Sequence, residues 1–305
     1  MERRTFIKST IATMGAMAVG NTGFASPSLA SADEKQASGL RRSIMWGTIG
    51  LQGSILEKCK AVKAAGFDGV EPNSHTNRQE MIDAIKAAGL VASSVCNSKH
   101  WDLTLSHPEV AVRQQGIEAM IVAMEDAKAY GTDAVLLVPG VVSDTVGYDE
   151  CWKRSTECIR ELLPAAEEMK VKICIENVWN NFLLSPLEAA RYVDQFESRY
   201  VKFYFDCGNI LNYGFPDQWI KILGHRIGRI HIKEFSKKKA DTTGKSSGFD
   251  VKLTEGDVPW APVIKQILSN YEGGWLTTEM GTGESADGLK DLLQRLDKII
   301  AMGNK

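Results

Sequence analysis

The sequence predicts a single (β/α)8 barrel, and two observations carry that prediction. Eight short, apolar, β-branched runs are spread over about 260 residues, and amphipathic helical patterns fall between them. An open doubly wound sheet is the rival architecture. It is disfavoured because no glycine-rich phosphate loop follows the first strand.

The strand runs are "SIMWGTIG" (43–50), "FDGVEP" (67–72), "LVASSVC" (90–96), "TDAVLLVP" (132–139), "VKICIEN" (171–177), "VKFYFDCGN" (201–209), "IGRIHIKEF" (227–235) and "GWLTTEM" (274–280). Between them lie "ILEKCKAVKAAGF", "RQEMIDAIKAAGL", "VRQQGIEAMIVAMEDAKAYG", "YDECWKRSTECIRELLPAAEEM" and "LKDLLQRLDKIIAM". Several end in glycine, where a helix C-terminus favours it. Regular strand–helix alternation builds one parallel barrel rather than two domains. The helices after the sixth and seventh strands are the least legible. Residues 236–257 are polar and rich in Gly and Ser, which predicts a long loop on the side of the barrel where active sites form.

Residues 1–32 stand apart. Arg3 and Arg4 precede a Gly- and Ala-rich apolar run and the small-x-small pattern Ala30-Ser31-Ala32. This predicts a twin-arginine export signal cut after about Ala32, a linker over 33–42 and the barrel over 43–305, in a periplasmic or other extracytoplasmic protein. The apolar run is too short and too glycine-broken for a permanent membrane span, which needs roughly 20 apolar residues. Twin-arginine export carries folded cargo, so a metal can be loaded before translocation.

Composition excludes several functions. A formal net charge of −2 and 44% hydrophobic residues describe an ordinary globular chain, without the basic footprint of a nucleic-acid binder. The six cysteines contain no C-x-x-C pair. Cys151 and Cys158 lie roughly 10 Å apart along a helix, too far to bridge, so free thiols are expected. The partner expected is a small molecule, with a homo-oligomer left open.

The ends of the strands point to chemistry. They offer Glu71 on the second strand, Glu176 on the fifth, Asp206 on the sixth, His231 on the seventh and Glu279 on the eighth. A charge at the end of a buried apolar run is costly unless it pairs or binds a cation. Four such groups on adjacent strands, three carboxylates and one imidazole, form a hard and mostly oxygen site suited to Mn²⁺, Mg²⁺ or Co²⁺. That pattern favours a ligand role for His231 over that of a hydrogen-bonded core histidine.

"GFDGVEP", the stretch 107–140, "IEN", "FDCGN", "HIKE", "EGDVPWAPVIKQI" and "TTEM" occur in this order. Together they resemble the xylose isomerase-like TIM-barrel proteins, a family that includes sugar-phosphate isomerases and epimerases and endonuclease IV. The resemblance runs from about 43 to 302. It implies one divalent metal, manganese before magnesium, cobalt or zinc, held by Glu176, Asp206, His231 and Glu279. It also implies a carbohydrate substrate. Two positions depart from the epimerase pattern. Asn209 replaces a substrate-contacting histidine, and Lys237 stands where an arginine is common. Five histidines and an export signal argue against the DNA-repair branch.

The chemistry implied is proton abstraction beside a carbonyl, with Glu176 and Glu279 as the acid–base pair. Epimerisation, aldose–ketose isomerisation and elimination from a 3-keto-glycoside all share that first step, and a barrel that binds metal or sugar without turnover is a further alternative. An unphosphorylated substrate is expected, because exported compartments hold few sugar phosphates. Lys233, in the His-x-Lys that the resemblance carries, is expected on the same side as His231, as a substrate contact or a support to the metal ligands. Glu71 is expected to accept from a substrate hydroxyl or to orient Lys233. His100, Trp101 and Trp179 are expected to wall a sugar pocket. "SKKK" (236–239) reads as a solvated turn in preference to an anion site.

Overall fold

The computed structural model describes residues 39–303; the expected export signal and most of the expected linker lie outside the described residues. Nine short strands form one parallel sheet: β1 (Arg41–Met45), β2 (Gly69–Glu71), β3 (Val91–Ala92), β4 (Val95–Cys96), β5 (Ala134–Leu137), β6 (Lys172–Glu176), β7 (Val201–Asp206), β8 (Ile227–Ile232) and β9 (Trp275–Thr278). Their order, β3-β2-β1-β9-β8-β7-β6-β5-β4, puts the two halves of one sequence run at the two ends of the sheet. The expected third strand, 90–96, is thus one barrel strand broken in the middle, and it closes an eight-membered (β/α)8 barrel.

The break has a physical origin at Ser93 and Ser94, both fully buried. The Ser93 carbonyl accepts from Thr132 Oγ1 (2.9 Å) and from Arg229 Nε (2.7 Å) in place of a ladder partner. Arg229, inside the barrel, also reaches Asp133 Oδ1 at 2.5 Å and so plugs the N-terminal end with a paired charge. β5 is continuously apolar, "AVLL", because helices cover the outer face and side chains fill the inner one.

All five helical patterns form: α1 (Ile55–Ala65), α2 (Arg78–Ala88), α3 (Val110–Tyr130), α4 (Tyr148–Met169) and, last in the chain, α10 (Ala286–Met302). A capping box between Ser54 and Glu57 starts α1, and Gly66 at φ 106° ends it where a side chain would be strained. A further helix, α5 (Pro186–Asp194), follows β6, and the regions after the sixth and seventh expected strands resolve into α6 (Cys207–Ile210) and α7 (Pro216–Leu223), then α8 (Lys237–Thr243) and α9 (Trp260–Asn270). Residues 236–257 are therefore not all loop. They contain α8 and a 3-10 turn, Lys245–Phe249. Among the described residues no helix is long and apolar enough to cross a membrane, and all six cysteines are free and buried.

Candidate metal centre and substrate cavity

Parallel register sets the level at which each strand delivers its last side chain. Asp206 of β7 pairs with His231 of β8, and Glu176 at the end of β6 pairs with Tyr204. Glu279 follows β9, its N–H bonded to the Ile232 carbonyl (3.1 Å). One ligand atom from each of Glu176, Asp206, His231 and Glu279 falls within 4.8 Å of the others.

The imidazole organises this cluster. His231 Nε2 lies 2.8 Å from Glu71 Oε2, while Nδ1 faces Glu176 Oε1 (3.0 Å), Glu279 Oε2 (3.2 Å) and Asp206 Oδ2 (4.0 Å). Glu71 Oε1 is already taken by the hydroxyls of Ser94 (2.6 Å) and Tyr204 (2.7 Å). Glu71 therefore accepts the Nε2 proton and leaves Nδ1 pointing at the carboxylates.

This corrects the expectation for Glu71. It is fully buried beneath His231, is not part of the cavity wall, and does not pair with Lys233. Lys233 instead pairs with Glu279 Oε1 at 3.0 Å.

Asp206 offers the cluster an oxygen that no protein group shares. Its Oδ1 accepts the Asn209 N–H (2.6 Å) and caps α6, while Oδ2 is buried without a hydrogen-bond partner. A buried carboxylate oxygen left unsatisfied is unfavourable. A divalent ion among three carboxylates and an imidazole nitrogen relieves that cost, so the residues fit such an ion. Asn177 fixes the Asp206 peptide at both ends, donating Nδ2–H to its carbonyl and accepting its N–H on Oδ1, both at 2.9 Å.

The four groups differ in their hold on protons. Burial raises the Glu176 pKa, and it raises that of Asp206 well above the usual carboxylate range. Burial acts the same way on Glu279, but Lys233 and His231 outweigh it and hold that carboxylate well below its ordinary value. For His231 burial alone would lower the pKa. Tyr204, Glu71, Glu176 and Glu279 around the ring reverse the shift.

Above the cluster opens a cavity of about 240 Å³. His100, Trp101, Trp179, Asn209 and Lys233, all expected from the sequence, line it beside Glu176, His231 and Glu279. His100 is neutral at ordinary pH, since burial lowers its pKa to about 4. Trp101 sits at the mouth, half exposed and edge-on to His100. Asn209 donates Nδ2–H to the Asn177 carbonyl. Trp179 donates its indole N–H to the Asn209 carbonyl, which sets the ring as a wall.

Met45, Cys96, Leu136, Val178 and Phe249 complete the lining without having been expected. The first four lie in or beside strands and read as ordinary core. Phe249 is the single aromatic residue of a polar segment, and that isolation was its only signal. Lys237 begins α8 and is not on the cavity wall; its N–H bonds Asp257 (2.7 Å), and Lys237–Lys239 are exposed, in keeping with the solvated reading of "SKKK". Apart from the histidines His100 and His231, Lys233 is the one basic side chain on the wall among the described residues.

A family model described as Xylose isomerase-like TIM barrel matches residues 59–299. The chain is 26% identical over 195 residues to the L-ribulose-5-phosphate 3-epimerase UlaE of Escherichia coli K12, covering 59% of this chain and 68% of that one. Solved structures with the same fold include an L-ribulose 3-epimerase (TM-score 0.72, 13% identity, 87% of this chain and 96% of that one). Another is the 3-keto-D-glucoside 4-epimerase YcjR of E. coli (TM-score 0.72, 16% identity, 86% and 99%).

Proposed function

The chain belongs to the xylose isomerase-like TIM-barrel family, and from that premise we propose that it is a metal-dependent epimerase or isomerase of an unphosphorylated keto-sugar. The observation that carries the proposal is the convergence of Glu176, Asp206, His231 and Glu279 at the floor of a sugar-sized cavity, with one Asp206 oxygen unpartnered. These four residues would hold a divalent metal, manganese by preference, which supplies Lewis-acid stabilisation of the charge that develops when a C–H proton leaves.

The protein's own groups handle the proton. Glu279, kept ionised by Lys233, is the base that takes the proton beside the carbonyl. Glu176, whose burial makes it hold a proton more firmly, is the acid that returns one. The two stand on different strands and so approach the substrate from different sides. Return to the same carbon inverts it, and return to its neighbour moves the carbonyl. Trp179 and Phe249 wall the ring and exclude water, while neutral His100 offers a polar contact without attracting an anion.

The absence of phosphate from the proposed substrate rests on charge. Lys233 is committed to Glu279 and to the face of Phe249, 4.6 Å away, so among the described residues no free cation on the wall awaits an anionic group. We further propose export by the twin-arginine route, on the strength of the Arg3-Arg4 pair and the segment that follows.

The test is incubation of manganese-loaded protein with free ketoses and 3-keto-glycosides in D₂O. One solvent deuterium at the inverted or newly protonated carbon supports the proposal. Release of an aglycone supports elimination, and no exchange with any sugar leaves a binding barrel.

A further inference from the structure

We propose that Glu234 is a positioning residue that latches residues 235–258 as a fixed cap over the cavity, and that the cap sets substrate affinity through Phe249. The affinity part rests on the reading of the cavity as a sugar site; the latch itself does not.

Glu234 follows β8 by two residues and is fully buried, yet it takes no part in the metal cluster. Its four hydrogen bonds all come from neutral donors. Oε1 accepts from the N–H groups of Phe235 and Val258, both at 3.1 Å. Oε2 accepts from the Thr254 N–H and the Trp260 indole N–H, both at 2.8 Å. Three of these donors lie between 20 and 26 residues downstream, so one carboxylate ties both feet of the segment together. A desolvated carboxylate with no cation beside it is stable only with its lone pairs filled in this way.

The surrounding backbone is built to the same end. The Asp257 N–H donates to the Phe235 carbonyl (2.8 Å), and the Ser236 N–H to that of Gly248 (2.7 Å). A side chain at Gly256 would meet the Phe235 carbonyl at 2.5 Å and Glu234 Oε1 at 2.6 Å, so only glycine lets the two chain segments of the foot close. This accounts for "HIKEF" and "EGDVPW" as two halves of one latch. Between the feet the chain carries Phe249 to the cavity, where its ring packs on Trp179 (4.9 Å) and Phe235 (5.0 Å) and lies under Lys233 Nζ.

The experiment uses the full-length, manganese-loaded protein, with Glu234→Gln, Phe249→Ala, the double variant and Glu234→Asp as a milder change. Glutamine keeps the shape but turns an N–H toward donors. Each single change is expected to raise KM for the keto-sugar about tenfold with kcat within about threefold, the pattern of a lost contact shared by ground and transition states. The double variant is expected to be no worse than the worse single one, because both act through the same ring. Trypsin is expected to cut Glu234→Gln after Lys237–Lys239 or Lys245 at least about tenfold faster than wild type, reporting local opening, with manganese affinity unchanged. Should Glu234→Gln not fold, Glu234→Asp supplies the same readouts with smaller shifts.

Additive KM effects, or an unchanged KM in either Glu234 variant, overturn the link to affinity. A cap that stays protease-resistant in the Glu234 variants overturns the latch whether or not any sugar is turned over. A cap that opens in a protein inert to every sugar retains the latch and removes the sugar reading.

Discussion

Replacing Glu71 with glutamine removes the group that decides which imidazole nitrogen of His231 is bare. In the native protein Oε1 holds two hydroxyl protons and Oε2 holds the Nε2 proton. If the glutamine oxygen stays with Ser94 and Tyr204, its amide N–H faces Nε2. That nitrogen must then become the acceptor, and the ring proton moves to Nδ1, the position facing the three carboxylates. Loss of such an outer partner typically costs 10- to 100-fold in metal affinity, about 1.4–2.7 kcal/mol. At manganese 100-fold above the wild-type Kd, binding stabilises the fold by about 2.7 kcal/mol, and in the variant by about 0.4–1.4 kcal/mol. Titration calorimetry on the metal-free protein measures the first quantity, and thermal unfolding with and without manganese the second. Nitrogen NMR of the histidine ring in protein loaded with diamagnetic zinc reads directly which nitrogen is coordinated. An affinity within twofold of wild type, with Nδ1 still the coordinating nitrogen, would refute the role assigned to Glu71.

Three other outcomes follow from the same geometry. Lys233→Met removes a main influence lowering the Glu279 pKa, so that pKa rises and the acid limb of the kcat/KM profile moves to higher pH, as activity measured from pH 4 to 9 will show. His100 has a folded pKa of about 4 against an ordinary 6.5, so the unfolded chain binds the extra proton as pH falls between those values. Its contribution to stability is complete above 6.5 and is lost toward pH 4, about 3 kcal/mol in all, and denaturant titrations of His100→Gln should lack that part of the slope. His231→Ala should abolish stoichiometric manganese in elemental analysis, while Trp101→Ala, at the cavity mouth, should retain it.

The sequence showed the four candidate ligands because a parallel barrel turns one-dimensional order into spatial order. A charged residue ending a buried apolar run has few places to go, and Glu176, Asp206, His231 and Glu279 each stand in that position. Glu71 also ends such a run, but its side chain lies one level lower, in the layer of Tyr204 and Ser94. Strand position alone cannot distinguish a residue facing the cavity from one beneath it. The serine break in the third strand was illegible, since it depends on Arg229 reaching across the barrel from a strand 136 residues away. Phe249 and Glu234 were hidden for a related reason, as their roles depend on long-range closure of a polar segment whose composition resembles free loop. The short α8 was masked by its lack of apolar periodicity and by an aspartate and two threonines of weak helical preference.

The six unpaired cysteines bear on how the protein dies rather than on how it works. Burial pushes the Cys59, Cys151 and Cys158 thiols up to about 11 and the Cys174 thiol to about 12, so they are chemically inert while the fold persists. Unfolding returns all six to ordinary reactivity at once. In an oxidising medium they then cross-link in arrangements the native chain never contains, and return is blocked. The lifetime of the molecule is there set by its rate of unfolding, and heating scans without reductant will give a midpoint that drifts with scan rate.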